Sequence, residues 1–182
     1  MNKSQKLVRT ALLLAIAIAI QALGRSFPQI SQVIVGSVVN ATLIVAAYSC
    51  GVSWAVLLGT LTPMLALIIG QLPSPMAPFV PFIIIGNILF VLVFGIISNK
   101  VKSLKYIAIV IGAFIKFGFL YLAASKLIHV FKLGIPPKVA SKLIIMMGIP
   151  QLITALIGGF IALILVNALV RRKVISSNHK VY

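Results

Sequence analysis

The amino-acid sequence predicts an all-α integral membrane protein, a single-domain bundle of six transmembrane helices with both termini on the cytoplasmic side. Three observations carry that expectation. Hydrophobic residues make up 62% of the 182-residue chain and charged residues only 9%, too little polar surface to cover a soluble core. The apolar residues fall in runs long enough to cross a hydrocarbon layer of roughly 30 Å, which takes about 20 residues of helix. Sixteen Lys and Arg stand against no Asp and no Glu, and they flank those runs.

The first run, residues 7–23, follows Lys3, Lys6 and Arg9. Ala22-Leu23-Gly24 faintly resembles a signal-peptide cleavage site, but the length of the run and its spaced alanines suit a retained helix. Further spans are expected at 33–50, 53–70, 79–98, 104–127 and 143–170. Ser49-Cys50-Gly51 makes a tight helical hairpin between the second and third. Gln71 to Pro78, with prolines at 73, 75 and 78, reads as a non-helical loop before the fourth. Asn99 to Lys105 is a basic turn, and Phe131 to Lys138, containing Gly134, Pro136 and Pro137, breaks the chain before the last span. Ala124-Ser-Lys-Leu-Ile recurs at Ala140, which reads as two similar interfacial ends and not as a structural repeat.

Orientation follows from the cations. With the termini inside, the cytoplasmic side holds Lys3, Lys6, Arg9, Lys100, Lys102, Lys105, Arg171, Arg172, Lys173 and Lys180, and the outer side Arg25, Lys126, Lys132, Lys138 and Lys142. Ten against five, with the inner ones tight against helix ends, favours N-in and C-in. The sixteenth cation, Lys116, falls inside the fifth span.

The same composition excludes much chemistry. Without carboxylates there is no acid–base pair, no acidic magnesium ligand and no Asp or Glu proton relay. His129 and His179 are too few and too far apart for a metal site, and Cys50 is alone. No catalytic residue, metal or cofactor is expected in this chain. Nucleic acid is not an expected partner, because no basic stripe carries aromatic readers.

A charge near mid-bilayer costs about 3 kcal/mol on insertion scales. Lys116 lies too deep to snorkel and has no acid to pair with, so it sits either in a small polar cavity or against a substrate's anionic group. Asn40, Thr60, Thr62, Asn87 and Gln151 fall at similar or shallower depth. They read either as interhelical glue or as one polar cavity open to the outside. Phe79 and Tyr121, near the outer face, are candidate ligand contacts, whereas Trp54 suits an interfacial anchor. Ala11, Ala15 and Ala19 recur every four residues, with Ala22 nearly continuing the stripe. That spacing lets another helix approach closely, within the bundle or from a partner.

About six spans in under 200 residues, the alanine stripe, Gly36-Ser37-Val38-Val39-Asn40-Ala41, Gly51, Gly59 and the proline-rich loop before Pro81-Phe82-Ile83-Ile84-Ile85-Gly86-Asn87 together resemble the substrate-binding S components of energy-coupling-factor (ECF) transporters. The resemblance covers nearly the whole chain, through soft motifs. It implies a multi-pass protein of a prokaryotic plasma membrane that captures a vitamin or precursor near the outer face. Delivery would run through a transmembrane coupling protein and two cytoplasmic ATPases, with ATP used by those partners. It maps docking onto Ala11, Ala15 and Ala19, and a capping loop onto residues 24–35, including Arg25, Phe27, Gln29 and Gln32. Pocket positions fall near Asn87, Lys116, Tyr121 and Gln151. The lack of any acid disfavours cationic ligands such as thiamine. Lys116 and Arg25 favour a carboxylate or phosphate compound such as pantothenate, a folate, nicotinate, lipoate or biotin, with a neutral ring held by Asn and Gln also open. The competing expectation is a stand-alone secondary transporter or channel subunit acting as an oligomer.

Overall fold

A computed structural model describes residues 2–100, 104–131 and 133–175. Lys102, Lys132, His179 and Lys180 lie outside the described residues, as do the side chains of Gln29, Lys100 and His129. The described chain is helical throughout: α1 (Lys3–Ser26), α2 (Pro28–Ser49), α3 (Val52–Ile68), a 3₁₀ turn (Ser74–Phe79), α4 (Val80–Lys100), α5 (Lys105–Leu122), a π turn (Ala123–Leu127), α6 (Ile128–Val130), α7 (Pro137–Met147) and α8 (Ile149–Arg171). Five stretches are long and apolar enough to cross a membrane, and α3 is a shorter apolar helix of 17 residues. At 1.5 Å per residue α3 is about 26 Å long.

Three expectations change. Residues 24–35 do not form a loop: α1 runs to Ser26, Pro28 occupies the first turn of α2, and Phe27 alone lies between them. Proline there has no N–H to leave unsatisfied, so it starts a helix as readily as it would end one. The proline-rich segment is partly helical, as the 3₁₀ turn, because the fixed proline φ suits that tighter helix. The last span begins earlier than residue 143 and is two helices, α7 and α8, meeting at Gly148 and Pro150.

The α2–α3 hairpin closes as expected, at Gly51, whose φ of +106° lies where a side chain is disfavoured. Arg9 donates to the Val174 carbonyl at 2.9 Å, and Lys105 to the Tyr48 hydroxyl at 3.2 Å. These contacts gather the start of α1, the end of α2, the start of α5 and the chain after α8 at one end of the bundle. Arg25 donates to the Ile69 carbonyl at 3.1 Å and Gln32 to the Met146 carbonyl at 2.8 Å, gathering the other end.

Small residues set how closely the helices approach. The most extensive contact is α2 against α8. There a Cβ on Gly158 would stand 2.3 Å from the Ser37 carbonyl oxygen and 2.7 Å from Asn40 Cβ. Between α4 and α5, a Cβ on Gly86 would meet Leu120 Cγ at 2.9 Å, and one on Gly112 the Phe90 ring at 3.0 Å. Two apolar clusters result. One, including Leu43, Phe94, Ile109 and Leu163, fills the half near the termini. The other, including Met76, Phe79, Leu120 and Leu143, fills the opposite half.

Candidate functional site

On α5, Gly112, Lys116 and Leu120 are spaced by four and share one buried face. Because Gly112 and Gly86 bring α5 close to α4, the lysine between them reaches into the helix junction. Its Nζ donates to Asn40 Oδ1 at 2.6 Å and to Asn87 Oδ1 at 2.8 Å, and lies 5.6 Å from the Phe90 ring centroid. All three polar side chains are at most 3% exposed.

Asn87 is oriented by a defect in α3. Pro63 sits inside that helix and has no N–H, so the Gly59 carbonyl four residues earlier loses its usual intrahelical partner. Asn87 Nδ2 donates to that carbonyl at 3.0 Å, which turns its Oδ1 toward Lys116. A second side chain reads the same helix: Gln21 of α1 donates from Nε2 to the Thr62 carbonyl at 3.3 Å.

Lys116, Asn40 and Asn87 line a cavity of about 390 Å³, within the usual range for small-molecule sites. Its rim carries Arg25 and Lys142, so three cations border a cavity in a chain without carboxylates. Hydrogen bonds to a charged group are worth about 1.5–3 kcal/mol each, and removing an ion from water costs several kcal/mol. Two asparagine carbonyls therefore hold the lysine in place but do not neutralise it. Among the described residues no cluster of His, Cys, Asp or Glu could hold a metal.

The model of the ECF transporter substrate-specific component family matches residues 5–170. The chain belongs to that family. No curated protein and no solved structure matches it. It is thus a multi-pass membrane protein and a transporter subunit, the substrate-binding S component, and not an enzyme.

Of the S component's expected site residues, Lys116, Asn87, Asn40, Gln151 and Arg25 border this same cavity. Gln151 lies in the first turn of α8, just past the Gly148 break, with Nε2 3.7 Å from Met147 Sδ. Phe79 and Tyr121 do not line the cavity. Phe79 ends the 3₁₀ turn, fully buried in the apolar cluster and stacked on Phe82 with centroids 5.3 Å apart. Tyr121 follows Lys116 by five residues, which at 100° per residue turns it about 140° away. It is 46% exposed and stacks on Phe117.

Four contributors were not read as site residues from the sequence: Gln21, Pro63, Gly59 as a carbonyl acceptor, and Lys142. Gln21 was open to detection, because it is the one amide side chain within the first apolar run. Lys142 was assigned only to the outer side, and its place on the rim depends on how α7 folds back. Ala11, Ala15, Ala19 and Ala22 are all exposed on α1, beside exposed Leu12, Ile16 and Leu23, while Ala17 is fully buried. The stripe therefore faces out of the bundle.

Proposed function

We propose that this S component captures a small anionic vitamin or vitamin precursor at the outer face of a prokaryotic plasma membrane. In this reading it spans the membrane six times, N-in and C-in, with α3 as the short span and the cavity opening outward. The observation that carries the ligand class is the cavity itself, in which Lys116 at the helix junction and Arg25 and Lys142 at the rim have no carboxylate to answer them. The cation distribution supports the orientation. Lys3, Lys6, Arg9, Lys105, Arg171, Arg172 and Lys173 belong to the end that carries the termini, and Arg25, Lys126, Lys138 and Lys142 to the other.

Energy would come from a transmembrane coupling protein and two cytoplasmic ATPases, with no cofactor in this chain. The outward stripe of Ala11, Ala15 and Ala19 supports a close helix–helix contact with the coupling protein, since small side chains let backbones approach. Ala15→Trp is expected to abolish co-purification with the coupling protein while ligand binding persists. Co-purification that survives the substitution would remove the stripe from docking. For the transport role as a whole, uptake of the ligand retained by the purified protein should disappear in cells lacking the coupling protein and ATPases. Uptake that continues undiminished would refute the assignment.

A further inference from the structure

The α1–α3 wall of the cavity carries two buried oxygens without a hydrogen-bond partner among the described residues. Gln21 is 4% exposed and Thr62 fully buried. Both line the cavity, and Gln21 Oε1 and Thr62 Oγ1 have no hydrogen-bond partner among the described residues. The glutamine's orientation is fixed by chemistry, because the Thr62 carbonyl can only accept, so the amide nitrogen must face it. Oε1 is then left as a pure acceptor.

The threonine is distinctive within its own helix. Thr60 returns its hydroxyl to the Val56 carbonyl at 3.0 Å, as Ser49 and Ser98 do to the carbonyls four residues before them. Thr62 does not. The hydroxyls of Thr10 and Ser37 also lack partners among the described residues, but neither residue lines the cavity. A buried polar atom without a partner is unfavourable, and two on one wall of a ligand cavity mark where a ligand group belongs.

The register along α3 gives the spacing. Asn87, which orients Lys116, bonds the Gly59 carbonyl, and Gln21 bonds that of Thr62, three residues further on. At 1.5 Å per residue the two reading points are about 5 Å apart along the helix. One small molecule can therefore meet both.

Resting on the anion-binding reading above, we propose that the ligand carries, besides its anionic group, a neutral N–H or O–H donor that seats between Gln21 Oε1 and Thr62 Oγ1. The site then takes carboxylates or phosphates with an amide, ureido, amino or hydroxyl donor a few ångströms from the anion. It rejects anions whose remaining surface only accepts hydrogen bonds or is apolar, because these leave both oxygens buried and dry.

The test is calorimetric titration of the purified full-length protein with two sets of monoanions. Pantothenate, biotin and 4-aminobenzoate bear a donor; lipoate, nicotinate and 4-methylbenzoate do not. Biotin and lipoate are a matched pair, both sulfur heterocycles on a pentanoate tail, as are 4-aminobenzoate and 4-methylbenzoate. The expected result is at least tenfold tighter binding of a donor-bearing member than of the donor-free set, with most of that preference lost in Thr62→Val. Equal or tighter binding of donor-free anions would overturn this inference and leave the anion-binding reading intact. No binding by either set would overturn the anion-binding reading, and this inference with it. Thr62→Val should also melt, without ligand, no lower than the unsubstituted protein. A lower midpoint would show that the hydroxyl has an internal partner and would overturn the assignment of the wall.

Discussion

Gly158→Ala is expected to lower the thermal midpoint of the purified protein sharply and to weaken ligand binding together with it. The added Cβ would stand 2.3 Å from the Ser37 carbonyl oxygen and 2.9 Å from the Ala41 nitrogen, both backbone atoms of α2. A flexible side chain could rotate away, but a helix backbone cannot move without opening the whole α2–α8 contact. Overpacking of this kind costs about 3 kcal/mol, the upper end of its usual range, because the obstruction is rigid. The same Cβ would come within 2.7 Å of Asn40 Cβ. Displacing Asn40 takes away one of the two carbonyls that hold Lys116, which is why binding should fall with stability. Gly118→Ala is the matched control, since nothing lies within 4 Å of a Cβ there. Thermal melts of the two variants side by side decide the matter. Equal midpoints would mean that the α2–α8 contact is looser than its geometry implies.

Lys116→Met is expected to leave a folded protein that binds its ligand at least about tenfold more weakly, or about 1.4 kcal/mol. Methionine keeps much of the lysine stem's volume and flexibility, so the α4–α5 packing around Gly86, Gly112 and Leu120 should survive. The substitution leaves Asn40 Oδ1 and Asn87 Oδ1 without their donor, a penalty set against the relief of no longer burying an amine. An anionic ligand gains nothing comparable, because methionine offers it neither charge nor an N–H. The measurement is calorimetric titration with the compound that the unsubstituted protein retains through purification. Unchanged affinity would place that compound's anion elsewhere, at the rim beside Arg25 and Lys142.

These two expectations rest on different kinds of sequence signal. Lys116 announces itself in the sequence, since an unpaired lysine twelve or so residues into an apolar span has no cheap alternative to a polar cavity. Gly158 does not. It is one of thirteen glycines, and Gly118 is indistinguishable from it without the fold. Only the meeting of α2 with α8 makes one of them indispensable and the other idle.

The aromatic candidates lie off the cavity for a related reason. Phe79 and Tyr121 were placed by depth, which the sequence gives well, but whether a residue faces a cavity depends on its angle around the helix and on which neighbour covers it. Depth put Tyr121 level with the site, whereas five residues of helical phase turned it outward. Residues 24–35 failed differently. Pro28 there starts α2, because the preceding helix has already ended at Ser26.

By itself the sequence determined the class of solvent, the approximate spans and the family. Each of these follows from properties that sum along the chain or stay fixed at one residue: apolar length against bilayer thickness, cation placement at helix ends, and the absence of any acid. The tertiary structure decided which polar groups converge. Lys116 meets Asn40 and Asn87 because glycines on α4 and α5 let their helices close. Asn87 faces the lysine because Pro63, on a third helix, frees a carbonyl for its amide. Gln21 reaches the Thr62 carbonyl because α1 lies against α3, and Gln21 Oε1 and Thr62 Oγ1 have no partner among the described residues. Such placements depend on distances between residues as far apart as 76 positions in the chain, and no local pattern encodes them, since hydrogen bonds act only over a few ångströms once the helices have packed.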